Sequence, residues 1–293
     1  MAMEHTISNS TIKVIASELG AELHSIKHTD GIEFLWQGAH GIWEGHAPNL
    51  FPYIARLTNG RYSYKGKYYE LPIHGFAPTS KFELKTKSEA CMIFSLASDS
   101  ETRRHYPFDF IYEVKYEICG NVLVQTYTVI NLNKEIMYFA VGAHPGFNVP
   151  LYTSECFEDY FIEFEGSCQP IRIGFSEDCF LNQRDTPFIL DENKKLFLSH
   201  NLFDDDAIVL KDMAKRMTLK SRYGHHSITV QYPDMRYLGL WHRPHTTANY
   251  ICIEPWSSLP SRKDIIEDLE QQENLLSLPG WETFITTITY EFD

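Results

Sequence analysis

The chain of 293 residues carries 26 Lys and Arg against 39 Asp and Glu, a net charge of −13. A general nucleic-acid binder, which grips phosphates through surplus positive charge, is excluded. With 43% hydrophobic and 22% charged residues, the composition also excludes a disordered tail or a coiled coil and predicts a soluble globular protein.

The start of the chain, Met1 to Thr6, lacks the basic residues and apolar stretch of a signal peptide. No apolar run approaches the roughly 18 residues of a membrane helix; Tyr138 to Ala143 is among the longest. Cys91, Cys119, Cys156, Cys168, Cys179 and Cys252 are scattered without a CxxC pair, so they read as reduced thiols in the cytoplasm.

Short segments rich in Tyr, Phe, Ile, Val and Thr, broken by Gly, Asn, Asp or Pro, follow one another almost end to end. Their period is two, which is that of strands. Arg61 to Leu71 reads as a hairpin turning at Lys65-Gly66-Lys67, and Phe110 to Ile118 with Val122 to Ile130 as a second across Cys119-Gly120-Asn121. One helix is predicted over Lys263 to Leu276, because Ser261 precedes Asp264 in capping-box spacing and Ile265, Ile266, Leu269, Leu275 and Leu276 form an apolar stripe. Beyond it, Glu282 to Phe292 alternates as a terminal strand that should pair inside an existing sheet. No linker, low-complexity stretch or repeat divides the chain. The expectation is therefore all-β: one large antiparallel β-sandwich domain over residues 1–293, with one short peripheral helix near the C-terminus.

Several residues stand where chemistry is plausible. His74, in Leu71-Pro-Ile-His-Gly-Phe-Ala77, lies at a strand-to-loop junction, where the alternative is a surface histidine. His144 ends the strand Met137 to Ala143 before Pro145, a rigid place from which to aim a general acid; it could equally be a capped core histidine. Glu254 terminates the apolar strand Ala248 to Trp256, and a carboxylate desolvated there would suit a base working near neutral pH. Asp204-Asp205-Asp206 precedes another strand and could be a plain solvated turn. Arg56 follows an apolar run and could offer planar donors to a ligand or form an ordinary ion pair. His225-His226 and His242-Arg-Pro-His245 suggest a metal only superficially, because no partner completes a tetrahedral set, so no catalytic metal is expected. No GxSxG elbow, P-loop or GxGxxG opening a helix occurs, and no cofactor is expected. Aromatic residues make up 14%, and Trp36, Trp43, Trp241 and Trp256 could pack against sugar C–H faces.

Taken in order, Gly20-Ala21-Glu22-Leu23, Trp36-Gln-Gly38, Ala47 to Leu57, Gly60 to Leu71, His74-Gly-Phe-Ala77, His144-Pro-Gly-Phe-Asn148 and Cys252-Ile-Glu-Pro-Trp256 resemble the aldose 1-epimerase (galactose mutarotase) family, in its LacX-like branch. The resemblance covers essentially the whole chain. It implies a galactose mutarotase-type sandwich with a sugar in an open cleft, Glu254 as general base and His144 as general acid. It also implies that Arg56, His74 and Asp206 hold the sugar, with Asp205 as the alternative to Asp206. The implied reaction interconverts α and β anomers of a hexose without a cofactor, in a monomer or homodimer that engages neither nucleic acid nor membrane. Pro78 and Ser257-Ser258 depart from the branch at positions expected near the pocket rim. A hexose 6-phosphate substrate, for which Arg61, Arg243 and Arg262 are candidate ligands, is the alternative. So are a non-catalytic sugar binder and a glycosidase using Glu254 and Asp206.

Overall fold

The computed structural model describes residues 2–166 and 168–293. Strict alternation of buried and half-buried positions in Phe110–Cys119 and Val122–Asn131 makes these the centre of a sheet with one covered face. That nine-stranded sheet runs in the order Lys195–Phe197, Tyr160–Phe164, Arg216–Ser221, Ser227–Gln231, Thr283–Phe292, Val122–Asn131, Phe110–Cys119, Cys91–Ala97 and Glu83–Lys87. The terminal strand Thr283–Phe292 lies inside it, paired on both sides, as its alternation predicted. The Arg61–Tyr64 and Lys67–Glu70 hairpin turns on Lys65 and Gly66, both at positive φ, which matches the twist of a two-residue hairpin.

A second sheet of eight strands has Ile208–Lys211, Tyr237–Trp241 and Tyr250–Trp256 at its middle, continuing through Gly142–Ala143 to Asn49–Leu50. The two large sheets share an apolar core: Phe51 stacks on Tyr112 at 4.5 Å between centroids, and Phe147 meets Tyr290 at 5.9 Å. Inside that core a closed polar network holds Asn49. Its Oδ1 accepts from Gln125 Nε2 at 2.7 Å and Tyr127 Oη at 2.8 Å, while Tyr290 donates to Gln125 Oε1 at 3.0 Å. Satisfied on every side, such a network fixes the register in which Asn49–Leu50 leads into the loop bearing Arg56. A three-stranded N-terminal sheet, Glu4–Ser8, Ile12–Ser17 and Leu23–His28, adds to this frame.

The helix predicted over Lys263 to Leu276 does not form. Asp264 takes a left-handed φ of 60°, and Glu267–Asp268 pairs as a short parallel strand with Arg61–Tyr64. The expected capping hydroxyl is engaged elsewhere, since Ser261 Oγ accepts the Thr58 N–H at 2.8 Å. Leu269 and Leu275 still reach the core, so the apolar stripe reports burial without a helix. The α-helix found among the described residues is the single turn Thr102–His105. No helix is long and apolar enough to cross a membrane among those residues.

Candidate active site

The strand Tyr250–Trp256 is buried along its whole length, and Glu254 within it is 1% exposed. Gly239 of the adjacent strand lies directly opposite. A Cβ there would stand 3.2 Å from Glu254 Cβ, so glycine leaves the carboxyl its room. His144 follows Gly142–Ala143, which pairs with the same strand, and its backbone N–H donates to the Pro48 carbonyl at 3.1 Å. His144 Nε2 thereby comes to 3.2 Å from Glu254 Oε2. Trp43 and Trp241 flank the imidazole, with ring centroids 5.1 and 5.7 Å away.

His74 arrives from the opposite wall in a left-handed conformation, φ 67°, followed by Gly75 at 74°. A Cβ on Gly75 would come within 2.3 Å of the Phe51 carbonyl oxygen, so the close crossing of these two loops requires glycine. His74 Nδ1 accepts the Ala55 N–H at 3.1 Å. The proton of the neutral ring therefore sits on Nε2, leaving a donor on that side. Arg56, one residue on from Ala55, donates through Nη1 to the Asp178 carbonyl at 3.2 Å.

Asp206, at the turn before Ile208–Lys211, has φ 70° and accepts the Ala207 N–H through Oδ1 at 2.8 Å. Its Oδ2 accepts from the Cys179 thiol at 3.1 Å. Burial and this carboxylate push the thiol up to about 11, so it stays protonated and remains a donor. All five expected residues, Arg56, His74, His144, Asp206 and Glu254, line one cleft of about 650 Å³. Asp205 lines an adjoining groove instead, which separates the two aspartates.

The electrostatics follow from burial. Burial pushes Glu254 well above the usual carboxylate range, and the Asp206 charge adds to the effect; the Trp256 indole opposes it, although its N–H completes no hydrogen bond. Burial draws His144 down to about 4, against weaker upward pulls from a backbone hydrogen bond and from Asp206. His74 is held well below an ordinary histidine by burial, with His144 and Arg56 acting in the same direction. Four buried side-chain polar atoms lack a protein hydrogen-bond partner among the described residues, and three of them, His144 Nδ1, Glu254 Oε2 and Trp256 Nε1, belong to residues of this cleft. Each such group costs about 1–3 kcal/mol.

Some expectations fail. Ser257 and Ser258 are buried and bonded inward: Ser257 Oγ accepts the Val141 N–H, and Ser258 Oγ donates to Asn274 Oδ1. Neither they nor Pro78 lines the cleft. Of the three arginines considered for phosphate, Arg61 pairs with Glu70 and Arg262 with Glu267. Only Arg243 lines the cleft. Cys179 and Phe175, also in the wall, went unrecognised, because nothing near Cys179 in the chain announces a partner 27 residues away.

This arrangement has counterparts in known proteins. Residues 3–267 match the family model described as aldose 1-epimerase. The plasmid-encoded protein LacX of Lactococcus lactis subsp. lactis is 35% identical over 287 residues, covering 93% of this chain and 94% of the relative. A galactose mutarotase related enzyme from Lactobacillus acidophilus superimposes with a TM-score of 0.94 at 35% identity, over 99% of this chain and 97% of that one. A galactose mutarotase-like protein from Lactobacillus casei ATCC 334 gives 0.94 at 31% identity, over 99% and 100%. A matched family model that runs from the N-terminal sheet past Glu254, together with relatives aligned nearly end to end, means that the chain belongs to the aldose 1-epimerase family.

Proposed function

We propose that the protein is a cofactor-independent aldose 1-epimerase that interconverts the α and β anomers of a hexose. The observation that carries this reading is the convergence of three orphaned buried polar atoms in a cleft walled by Trp43, Trp241 and Trp256. A polyhydroxylated ring supplies hydroxyls for the former and C–H faces for the latter.

Ring opening needs one group to take the O1 proton while another delivers a proton to the ring oxygen. Glu254, raised by burial, and His144, lowered by burial, stand 3.2 Å apart, and by these directions the proton rests on Glu254 in the free protein. That leaves one group loaded and one empty. Once that proton passes to His144 as the sugar binds, Glu254 takes the O1 proton, His144 protonates O5, and the C1–O5 bond breaks to the open aldehyde. Rotation about C1–C2 presents the other carbonyl face, and reversed proton transfers close the opposite anomer. The His74 Nε2–H, the Arg56 guanidinium and the Asp206 carboxylate hold the sugar and its ring oxygen. The whole chain acts as one domain, as monomer or homodimer, and its six free cysteines fit a cytoplasmic setting.

Polarimetry of freshly dissolved α-D-glucose and α-D-galactose tests this. Acceleration over buffer, abolished in Glu254→Gln, is expected; tight sugar binding without acceleration would make the protein a sugar binder instead. A second reading, a hexose 6-phosphate substrate, is favoured by Arg243, which is exposed in the cleft wall and enters no ion pair among the described residues. Under it, glucose 6-phosphate would be turned over with a kcat/KM that exceeds that of glucose and falls in Arg243→Ala.

A further inference from the structure

Beside Trp43 in the chain, His46 converges with Glu22 and His24. His24 Nε2 stands 4.0 Å from Glu22 Oε2, and His46 Nδ1 stands 4.0 Å from Glu22 Oε1. The two imidazoles lie nearly parallel, 4.7 Å between centroids. These separations are too long for hydrogen bonds, and no protein donor lies between the atoms among the described residues.

His24 Nδ1 lies 2.8 Å from Glu4 Oε1, which fixes the ring with Nε2 toward Glu22. His46 is half-buried, and its Nδ1 faces Glu22 Oε1. Glu22 Oε1 is held by the His46 and Ala47 N–H groups at 2.8 and 2.9 Å, while Oε2 remains free. Two imidazoles and a carboxylate thus converge with their ligand atoms within 4.8 Å of one another, a spacing that a shared cation would bridge. An acceptor behind a ligating histidine is also the usual outer support of a metal site. The cluster His28, Asp30 and His226 differs: both imidazoles already sit within hydrogen-bond distance, 2.8 Å, of Asp30 oxygens.

We propose that Glu22, His24 and His46 form a binding site for a divalent transition-metal ion of the zinc class, braced by Glu4. Zinc bonds to nitrogen and carboxylate oxygen of about 2.0–2.2 Å bridge 4.0 Å separations with small ring rotations, and water completes the coordination. The ion would not touch substrate. It would tie the Trp43 loop to the N-terminal sheet and steady the indole that lies 5.1 Å from His144.

The test is a calorimetric titration of Zn2+ into untagged, chelator-stripped full-length protein, with Co2+ absorption as a second report of geometry. One equivalent of zinc should bind saturably and raise the melting temperature. The His24→Ala/His46→Ala protein, which should melt like the parent in chelator, should lose that binding, whereas His226→Ala should keep it. If the double variant fails to fold, Glu22→Gln retains an oxygen for the two backbone N–H groups and should still weaken zinc by at least about tenfold. Absence of saturable uptake by the parent, or uptake unchanged in these variants, overturns the proposal.

Discussion

Replacing Glu254 by Gln keeps the shape of the side chain and removes its titration. In the folded protein burial, reinforced by Asp206, holds this carboxyl well above its ordinary 4.5. In the unfolded chain it reverts to that value. Between 4.5 and the folded-state pKa the native state therefore binds more protons than the unfolded state, and stability falls as pH rises. A single group sets a limiting slope of about 1.4 kcal/mol per pH unit. Glu254→Gln lacks this term, so it should gain on the parent as pH rises, by up to about 2.7 kcal/mol over the first two units above 4.5. The unpaired amide contributes an offset that does not vary with pH. Urea unfolding of both proteins at half-unit steps from pH 4.5 to 8 measures the gap. The same variant should lose about 10²–10⁴ in kcat, the contribution of a positioned acid or base. A stability gap that stays flat with pH would refute the claim that Glu254 is desolvated in the native state. Undiminished catalysis would refute its role as base.

The coupled pair should also shape the pH profile of kcat/KM. Below about pH 4, where His144 takes up a second proton, the acid limb should fall, and the alkaline limb should lie above the ordinary carboxylate range. Because the Asp206 charge raises both groups, Asp206→Asn should move both limbs to lower pH; a profile that merely scales down would show that Asp206 does not face the pair. His74→Asn keeps an oxygen for the Ala55 N–H but removes the Nε2–H, so KM should rise severalfold while the urea midpoint stays put. A lowered midpoint with unchanged KM would make His74 structural. Gly75→Ala forces a left-handed alanine against the Phe51 carbonyl and should cost at least about 1–3 kcal/mol; unaltered stability would mean that the loop crossing is looser than its geometry.

Part of the site was legible because His74, His144 and Glu254 each stand next to glycine or proline. Pro145 interrupts regular pairing beside His144, whereas the strand bearing Glu254 runs on through Pro255 to Trp256. One carboxylate in an otherwise apolar strand announces its own desolvation. The helix over Lys263 to Leu276 misled for an equally local reason: apolar spacing reports which residues are buried, and a segment threaded beside Arg61–Tyr64 buries Leu269 and Leu275 without any helical turn.

The sequence by itself determined the strand-rich class, the hairpins and the terminal strand, because period-two patterning and turn residues act within a few positions of one another. It also marked five polar residues that line the cleft. Only the tertiary structure decided what those residues are to one another. Glu254 and His144 are 110 positions apart in the chain and 3.2 Å apart in space, and their approach exists only because distant strands bring them into one buried cleft. The same holds for Asp206 over Asp205, for the Cys179 thiol on Asp206, and for Arg243 over Arg61 and Arg262. Each depends on which side of a turn faces the cleft, and that direction comes from the packing of distant strands.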